Sequence, residues 1–91
     1  SKMASYIVTF EIKDATKLAS FKEGLKSYGG YCPINENTWA VTTPNTAAQV
    51  RDHLSTLIDP SDRLFVIRSG VESAWRNAIS EKHTEWLKKY L

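Results

Sequence analysis

With 91 residues, 42% of them apolar and 24% charged, the chain has the composition of an ordinary soluble globular protein, and its length predicts one domain over residues 3–91. Its net charge of +2 is too small to indicate a nucleic-acid partner by itself. No apolar run approaches the roughly 18 residues that a membrane-spanning helix needs, so no membrane association is expected.

Cysteine usage and the N-terminus add two further expectations. Cys32 is the single cysteine, which excludes an internal disulfide and a zinc-finger framework and fits a reducing cytoplasm. No charged-then-apolar signal peptide opens the sequence, and Ser1 and Lys2 before Met3 are interpreted as a cloning remnant. The expected location is therefore cytoplasmic.

The first predicted strand covers residues 6–13 and alternates strictly. Its apolar face carries Tyr6, Val8, Phe10 and Ile12, while Ile7, Thr9 and Glu11 point the other way. A row of four apolar residues on one face is typical of a central strand beneath helices. Glu11 lies near the strand end, where a carboxylate could take part in chemistry.

A first helix is predicted from Asp14, as its N-cap, to about Tyr28. Its apolar stripe recurs at spacings of three and four, and Gly29 and Gly30 end it. Lysines flank the stripe, and they favour a solvated helix face over a phosphate-binding edge. The stripe is Leu18, Phe21, Leu25 and Tyr28, and the lysines are Lys17, Lys22 and Lys26.

A hairpin is predicted next, with strands at 30–34 and 38–43 around a turn at 35–37. Pro33 cannot donate to a strand ladder, so its strand is expected at a sheet edge. Trp39 and Val41 share a face and are expected in the core. Without a base nearby in the sequence, Cys32 is interpreted as an inert small residue, not a nucleophile.

A second helix is expected to open at residues 43–45, with Asn45 or Thr43 as the N-cap and Pro44 in the first turn. Its buried stripe is Ala47, Val50, Leu54 and Leu57, with Ile58 alongside, and residues 59–62 end it. His53, at the edge of this stripe, has no partner motif and is interpreted as a surface or boundary residue.

The last strand, residues 63–68, has an apolar centre on both faces, which predicts that both faces are covered. The order β-α-β-β-α-β predicts an α+β protein with a ferredoxin-like sandwich, both helices on one side of the sheet. The other side then needs a lid, either a second subunit or the C-terminal segment.

That segment, residues 71–91, is an added helical piece. Val71, Trp75, Ile79, Trp86 and Tyr90 align within one helical stripe, although Lys82 falls inside it. The pattern predicts one helix with a snorkelling lysine, or two pieces that break near residues 78–80. Trp75 and Trp86 are interpreted as anchors on the sheet or on a partner subunit, in preference to stacking on nucleic-acid bases.

Catalytic motifs are scarce. The sequence holds no glycine-rich phosphate loop, no metal-ligand pair at helical spacing and no nucleophile–base pair. A hydrolytic function would depend on Glu11, since a strand-end carboxylate can hold magnesium and a symmetric dimer could bring two copies together. The favoured alternative is a solvated acid that pairs with a neighbouring basic side chain.

Several segments together resemble the SinR-like proteins, which are related to the small CRISPR-associated adaptation endonuclease and, more distantly, to the VapD ribonucleases. They are SYIVTFE (5–11), LKSYG (25–29), TWAV (38–41), VRDHL (50–54), DRLFVI (62–67), AW (74–75) and EWLK (85–88). The resemblance covers nearly the whole chain. It implies a ferredoxin-like fold and a homodimer formed sheet to sheet.

The nuclease members of that group carry an aspartate after an aromatic at the end of the first strand, and two such aspartates hold a divalent metal across the dimer. The matching pair here is Phe10-Glu11, in which glutamate displaces the carboxylate by one methylene. The expected function is that of a dimeric, nucleic-acid-associated protein without nuclease activity. Its DNA or RNA contacts would be Lys17, Lys22, Lys26, Arg51 and Arg68.

Two alternatives stay open at this point. One is a metal-dependent endoribonuclease or DNase with Glu11 as both the catalytic residue and the magnesium ligand. The other is a dimer that has only protein partners.

Overall fold

The computed structural model describes residues 3–91, so the interpretation of residues 1 and 2 as a cloning remnant lies outside the described residues. The protein is α+β, with one four-stranded antiparallel sheet and three helices. The elements are β1 (Ala4–Glu11), α1 (Ala15–Lys26), β2 (Gly30–Asn35), β3 (Thr38–Thr43), α2 (Ala47–Ser55), β4 (Arg63–Arg68) and α3 (Glu81–Tyr90).

The strand order across the sheet is β2-β3-β1-β4, and each neighbouring pair is antiparallel. This arrangement is compatible with a ferredoxin-like fold. β1 is central, with Val8 opposite Trp39 on one side and Val66 on the other. β2 lies at an edge, as the missing N–H of Pro33 predicts.

One face of the sheet packs against α1 and α2 and forms the main core. Phe10 of β1 meets Phe21 of α1 with ring centroids 4.8 Å apart. The residues predicted for the two stripes all pack in this core. The predicted end of α2 at residues 59–62 is wrong, because the helix ends at Ser55 with Thr56 as its C-cap, so Leu57 and Ile58 reach the core from the turn that follows it. The buried members of this core are Tyr6, Val8, Phe10, Phe21, Leu25, Trp39, Val41, Val50 and Leu54.

α1 begins where its cap predicts. The Asp14 carboxylate accepts hydrogen bonds from the backbone N–H groups of Thr16 and Lys17 at 2.8 and 3.0 Å, which satisfies two of the donors that a helix start leaves unpaired. The helix ends at Lys26, two residues before the predicted Tyr28, with Ser27 as its C-cap.

The N-cap predicted for α2 is wrong. Thr46, not Asn45 or Thr43, caps the helix, because its hydroxyl and the Gln49 side chain exchange reciprocal bonds with each other's backbone N–H at 3.1 and 2.9 Å. Asn45 serves differently, since its carbonyl accepts from the Tyr6 hydroxyl at 2.7 Å. Pro44 therefore precedes the helix and is not in its first turn.

The prediction of a helical stripe from residue 71 onward is also wrong. Residues 71–80 form no helix, and the side chains from Val71 to Asn77 are exposed. Asn77 has a φ of 57°, a left-handed backbone conformation that interrupts any regular helix and that asparagine tolerates. The single helix α3 begins after Ser80, whose hydroxyl accepts from the N–H of His83.

α3 lies on the sheet face opposite α1 and α2, so the C-terminal segment covers its own sheet. Leu87 packs on Cys32 of β2 and Ala40 of β3 in a small second core. This cover does not extend to β4, where Phe65 and Ile67 stay 59% and 52% exposed. The prediction that both faces of the last strand are covered is therefore wrong within one chain. Among residues 3–91, no helix is long and apolar enough to cross a membrane.

The capping box of α2 can be tested against the cap that the sequence predicts. Thr46→Ala removes the hydroxyl that accepts from Gln49, and we expect it to lower the free energy of unfolding by about 1 kcal/mol. Asn45→Ala is the matched control, because it keeps the backbone carbonyl that Tyr6 uses. Urea unfolding measures both. An equal or larger loss in Asn45→Ala would contradict the assignment.

Candidate functional site

The part of the sheet that the helices leave uncovered is a candidate interaction surface. On the face turned away from α1 and α2, Ser5 donates to the carbonyl of Tyr90 in α3, and Ile7 packs on the small second core. The rest of this face of β1 and β4 we call the open sheet half, and its residues are Thr9, Glu11, Arg63, Phe65 and Ile67. The strand register places Ile7 opposite Ile67, Thr9 opposite Phe65, and Glu11 opposite Arg63. Its apolar rows therefore lie side by side, with one ion pair at the end.

Glu11 lies on the rim of this surface and is 60% exposed. The Arg63 guanidinium donates to its carboxylate at 3.3 Å. Both line a shallow depression of about 370 Å³ together with Thr9 and Phe65. The geometry matches the alternative in which a solvated acid pairs with a basic neighbour, and an exposed pair of this kind contributes little to stability.

A metal site at Glu11 would need more ligands than one chain brings to it. Within the part of the chain that the structure describes, no group of three or more histidine, cysteine, aspartate or glutamate side chains lies close enough to hold an ion. Magnesium prefers six oxygen ligands, mostly waters with one or two carboxylates. At this position the chain itself supplies one carboxylate, Glu11, and a site with two carboxylates would need a second copy.

Three of the five basic residues considered for nucleic-acid binding are engaged in ion pairs. Lys26 pairs with Glu23 at 3.2 Å and Arg51 with Asp52 at 2.9 Å. Lys17 pairs with Asp59, and this hydrogen bond raises the pKa of the lysine. Such surface pairs still leave the cations accessible, but each lowers the net charge at its site.

Lys22 and Arg68 complete that set, and they lie on different elements. Lys22, on α1, borders a depression that it shares with Glu36. Arg68 is the last residue of β4 and lies opposite Tyr6. The fold therefore distributes the five residues over α1, α2 and one strand end and does not gather them into one groove.

A second concave region, which the sequence did not reveal, lies between β2 and α3. This β2–α3 groove has a volume of about 300 Å³ and is lined by Tyr31, Cys32, Pro33, Lys82, His83 and Trp86. The sequence indicates only that Lys82 and Trp86, four residues apart, lie on the same side of one helix. Nothing in the sequence indicated that their helix would lie beside the edge strand.

Cys32 forms the floor of the groove. The residue is 2% exposed, and its thiol faces the carbonyls of Pro33 and His83 at 3.6 and 3.9 Å. Burial raises the pKa of Cys32 and so favours the neutral thiol. The Nδ1 atom of His83 is hydrogen-bonded to Ser80 at 2.6 Å and not to the thiol. These contacts agree with an inert cysteine.

The tryptophans of the C-terminal segment differ in environment. Trp86 is half-buried and packs its ring against Tyr90 at 4.7 Å between centroids. A Cβ on Gly30 would lie 3.5 Å from the Trp86 ring and 2.5 Å from the Thr42 hydroxyl, so a larger residue there would force the Thr42 side chain to move. Trp86 is thus an anchor on the sheet, as predicted, whereas Trp75 is 37% exposed.

The Nδ1 atom of His53 is hydrogen-bonded to the Tyr28 hydroxyl at 2.8 Å. The two rings meet edge to face and join the C-terminal ends of α1 and α2. Burial raises the pKa of Tyr28, so the phenol stays neutral at physiological pH. His53 is exposed, and this pairing supports its interpretation as a surface residue.

The burial of Cys32 predicts slow reaction with thiol reagents until α3 lifts from the sheet. Leu87→Ala removes the buried side chain that holds α3 on Cys32, and we expect at least about tenfold faster labelling. Lys88→Ala, on the exposed side of the same helix, should leave the rate unchanged. Because the pKa is raised above the ordinary value of 9.0, labelling of the native protein should still increase above pH 9. Rapid labelling of the unmodified protein would contradict this.

Comparisons with known proteins do not assign the chain to a family. No family model matches it, and a search of the curated proteins gives no significant match. The resemblance to the SinR-like proteins therefore stays a prediction that rests on the sequence segments given above.

Proposed function

We propose that the protein is a SinR-like homodimer with a ferredoxin-like fold, that it associates with nucleic acid, and that it lacks nuclease activity. The open sheet half is the proposed dimer interface. Three observations support the proposal: the resemblance in sequence, the strand order β2-β3-β1-β4, and an apolar sheet surface that the chain leaves uncovered.

The exposure of Phe65 and Ile67 carries the dimer proposal. These side chains are 59% and 52% exposed although they project from a paired strand beside central β1. Full burial of a side chain of this size contributes about 1.5–3 kcal/mol. In a two-fold symmetric dimer, both protomers would bury these two side chains in the interface, so the contribution is made twice.

The ion pair at the rim adds charge complementarity to this surface. Glu11 and Arg63 carry opposite charges at adjacent positions, 60% and 84% exposed. A two-fold axis over the open sheet half would allow Glu11 to meet the partner's Arg63. The same charges favour a fixed register over slippage of one apolar surface along the other.

Phe65→Asp tests the interface. A carboxylate in the centre of an apolar contact is costly to bury, so we expect the variant to be monomeric at concentrations where the unmodified protein is dimeric. Sedimentation equilibrium gives the mass of each. Ala19→Asp, which adds the same charge on the exposed side of α1, is the control and should stay dimeric. A monomeric unmodified protein would refute the proposed interface.

Nucleic-acid association is proposed to use Lys22 and Arg68, with Lys17, Lys26 and Arg51 adding charge around their ion pairs. Each phosphate that a protein neutralises gives a slope of about −0.9 in log K against log salt for duplex DNA and −0.7 for a single strand. A dimer presents each cation twice, so a few such contacts suffice for a measurable salt dependence.

The double variant Lys22→Glu/Arg68→Glu should weaken binding at least about tenfold and reduce the salt slope by about 1 or more. Fluorescence anisotropy with a short duplex and a single-stranded RNA, at several salt concentrations, measures both quantities. Lys88→Glu/Lys89→Glu, at two exposed positions of α3, serves as the charge-matched control. Dimerisation with no salt-dependent binding would instead favour a dimer that has only protein partners.

A metal-dependent nuclease that uses Glu11 is the second candidate, and the exposure of Glu11 on the rim of the proposed interface favours it. A two-fold axis near that rim could bring two carboxylates to one magnesium ion. Our proposal predicts no cleavage of RNA or DNA beyond that seen with a chelator present. Magnesium-dependent cleavage that Glu11→Gln abolishes, with the dimer intact, would replace the proposal with this candidate.

A further inference from the structure

The hydrogen-bond alternation of the sheet determines which backbone groups of β2 are free. The N–H of Phe10 donates to the carbonyl of Asn37 at 2.9 Å, so Phe10 turns its backbone groups towards the β3 side. On the other side of the same strand, the carbonyl of Ser5 accepts from the N–H of Ser69 at 2.8 Å. Because these directions alternate along a strand, Tyr6 and Val8 bond to β3.

The same alternation continues through β3. Val8 and Tyr6 lie opposite Trp39 and Val41, which therefore direct their backbone groups to β1 and not to β2. Their neighbours on β2 are Pro33 and Tyr31, whose backbone groups must point away from the sheet. The free edge of β2 thus presents the N–H and C=O of Tyr31 and the C=O of Pro33.

This edge forms one wall of the β2–α3 groove. The opposite wall is the first half of α3, with Trp86 as its apolar surface and Lys82 as its charge. The Tyr31 side chain stacks on Trp39 with centroids 5.8 Å apart, on the α1 and α2 side, and so leaves its backbone accessible. None of the described residues that line the groove is acidic.

We propose that the β2–α3 groove binds an extended, acidic peptide segment of a partner protein, which adds a short strand to the edge of β2. A free strand edge beside a helix is a recurring way to bind an extended peptide, in which main-chain bonds give affinity and side-chain pockets give specificity. The pairing is centred on Tyr31. Lys82 attracts the acidic side chains, and Trp86 packs against an apolar one.

The length of the added strand follows from Pro33. Proline supplies an acceptor but no donor, so the ladder loses one bond at that position. Beyond it, the register of β2 is irregular between Pro33 and Asn35. The pairing is therefore restricted to a few residues around Tyr31. Single-stranded nucleic acid fits the basic and aromatic groups but leaves the peptide groups of Tyr31 unpaired, so a peptide is the better occupant.

The test uses a seven-residue peptide with threonine at every second position and glutamate and valine in turn at the others, so that both kinds of side chain can face α3. It is blocked at both ends, titrated into the full chain and followed by NMR. We expect the amides of Tyr31 and Cys32 and the indole of Trp86 to shift, while the indole of the exposed Trp75 stays unchanged. Lys82→Glu should weaken binding at least about threefold, because it replaces an attraction by a repulsion. Lys88→Glu, on the same helix outside the groove, should not.

Tyr31→Pro tests the backbone pairing directly. It removes the outward N–H of Tyr31 without breaking the ladder to β3, and we expect about threefold to tenfold weaker binding than in Tyr31→Ala, which lacks only the side chain. Equal affinity of these two variants would refute strand addition. If Tyr31→Pro does not fold, the positions of the shifts and the Lys82→Glu result decide the matter.

Three results would overturn the proposal. They are the absence of binding at millimolar peptide, equal binding of the same peptide with lysine in place of each glutamate, and tighter binding of oligouridylate in the same groove. This inference is independent of the proposed dimer, since Phe65→Asp leaves β2 and α3 unchanged and should bind the peptide as the unmodified protein does.

Discussion

The structure depends on how the helices cover the two faces of one sheet, because one face is packed against two helices and the other against only one. Four strands at about 4.8 Å spacing make a surface roughly 19 Å wide, whereas a helix with its side chains is about 10 Å across. α1 and α2 together cover one face, and α3 alone covers about two strands of the other. Its contacts with Cys32 and Ala40 place it over β2 and β3, and it also reaches the start of β1, where Ser5 donates to the Tyr90 carbonyl. The outer face of β4 is thereby left bare.

This division separates the two candidate interaction surfaces. The open sheet half offers flat apolar area, with Phe65 and Ile67 at its centre, and suits a contact that buries side chains. The β2–α3 groove offers free main-chain groups next to a cation, and suits a contact made through hydrogen bonds. They lie at opposite edges of the sheet, so both can be occupied at the same time.

The chemistry that the protein can perform follows from the same geometry. Glu11 lies at the end of a strand whose neighbour supplies Arg63, and the two charges balance each other in solvent. A single carboxylate in this setting has neither the burial nor the companions that tune an acid for catalysis. Cys32 has burial but no base, because His83 is bonded to Ser80.

Local signals in the sequence determined much of the framework. Alternation in residues 6–12 identified β1, the spacing of Phe21 and Leu25 identified α1, Asp14 identified its cap, and Pro33 placed β2 at an edge. These signals are reliable because each reflects a constraint within a few residues of chain. The cap of α2 was mispredicted, because the reciprocal hydrogen bonds between Thr46 and Gln49 favour a helix start at Thr46 over one at Asn45.

Only the tertiary structure decided how the second sheet face is covered. Val71, Trp75 and Ile79 have helical spacing, but Asn77 adopts a left-handed backbone conformation and α3 begins only at Glu81. Its place over β2 and β3 depends on contacts between residues about fifty positions apart, such as Cys32 and His83. Sequence periodicity reports which side chains are apolar, whereas the surface that buries them is determined by long-range packing.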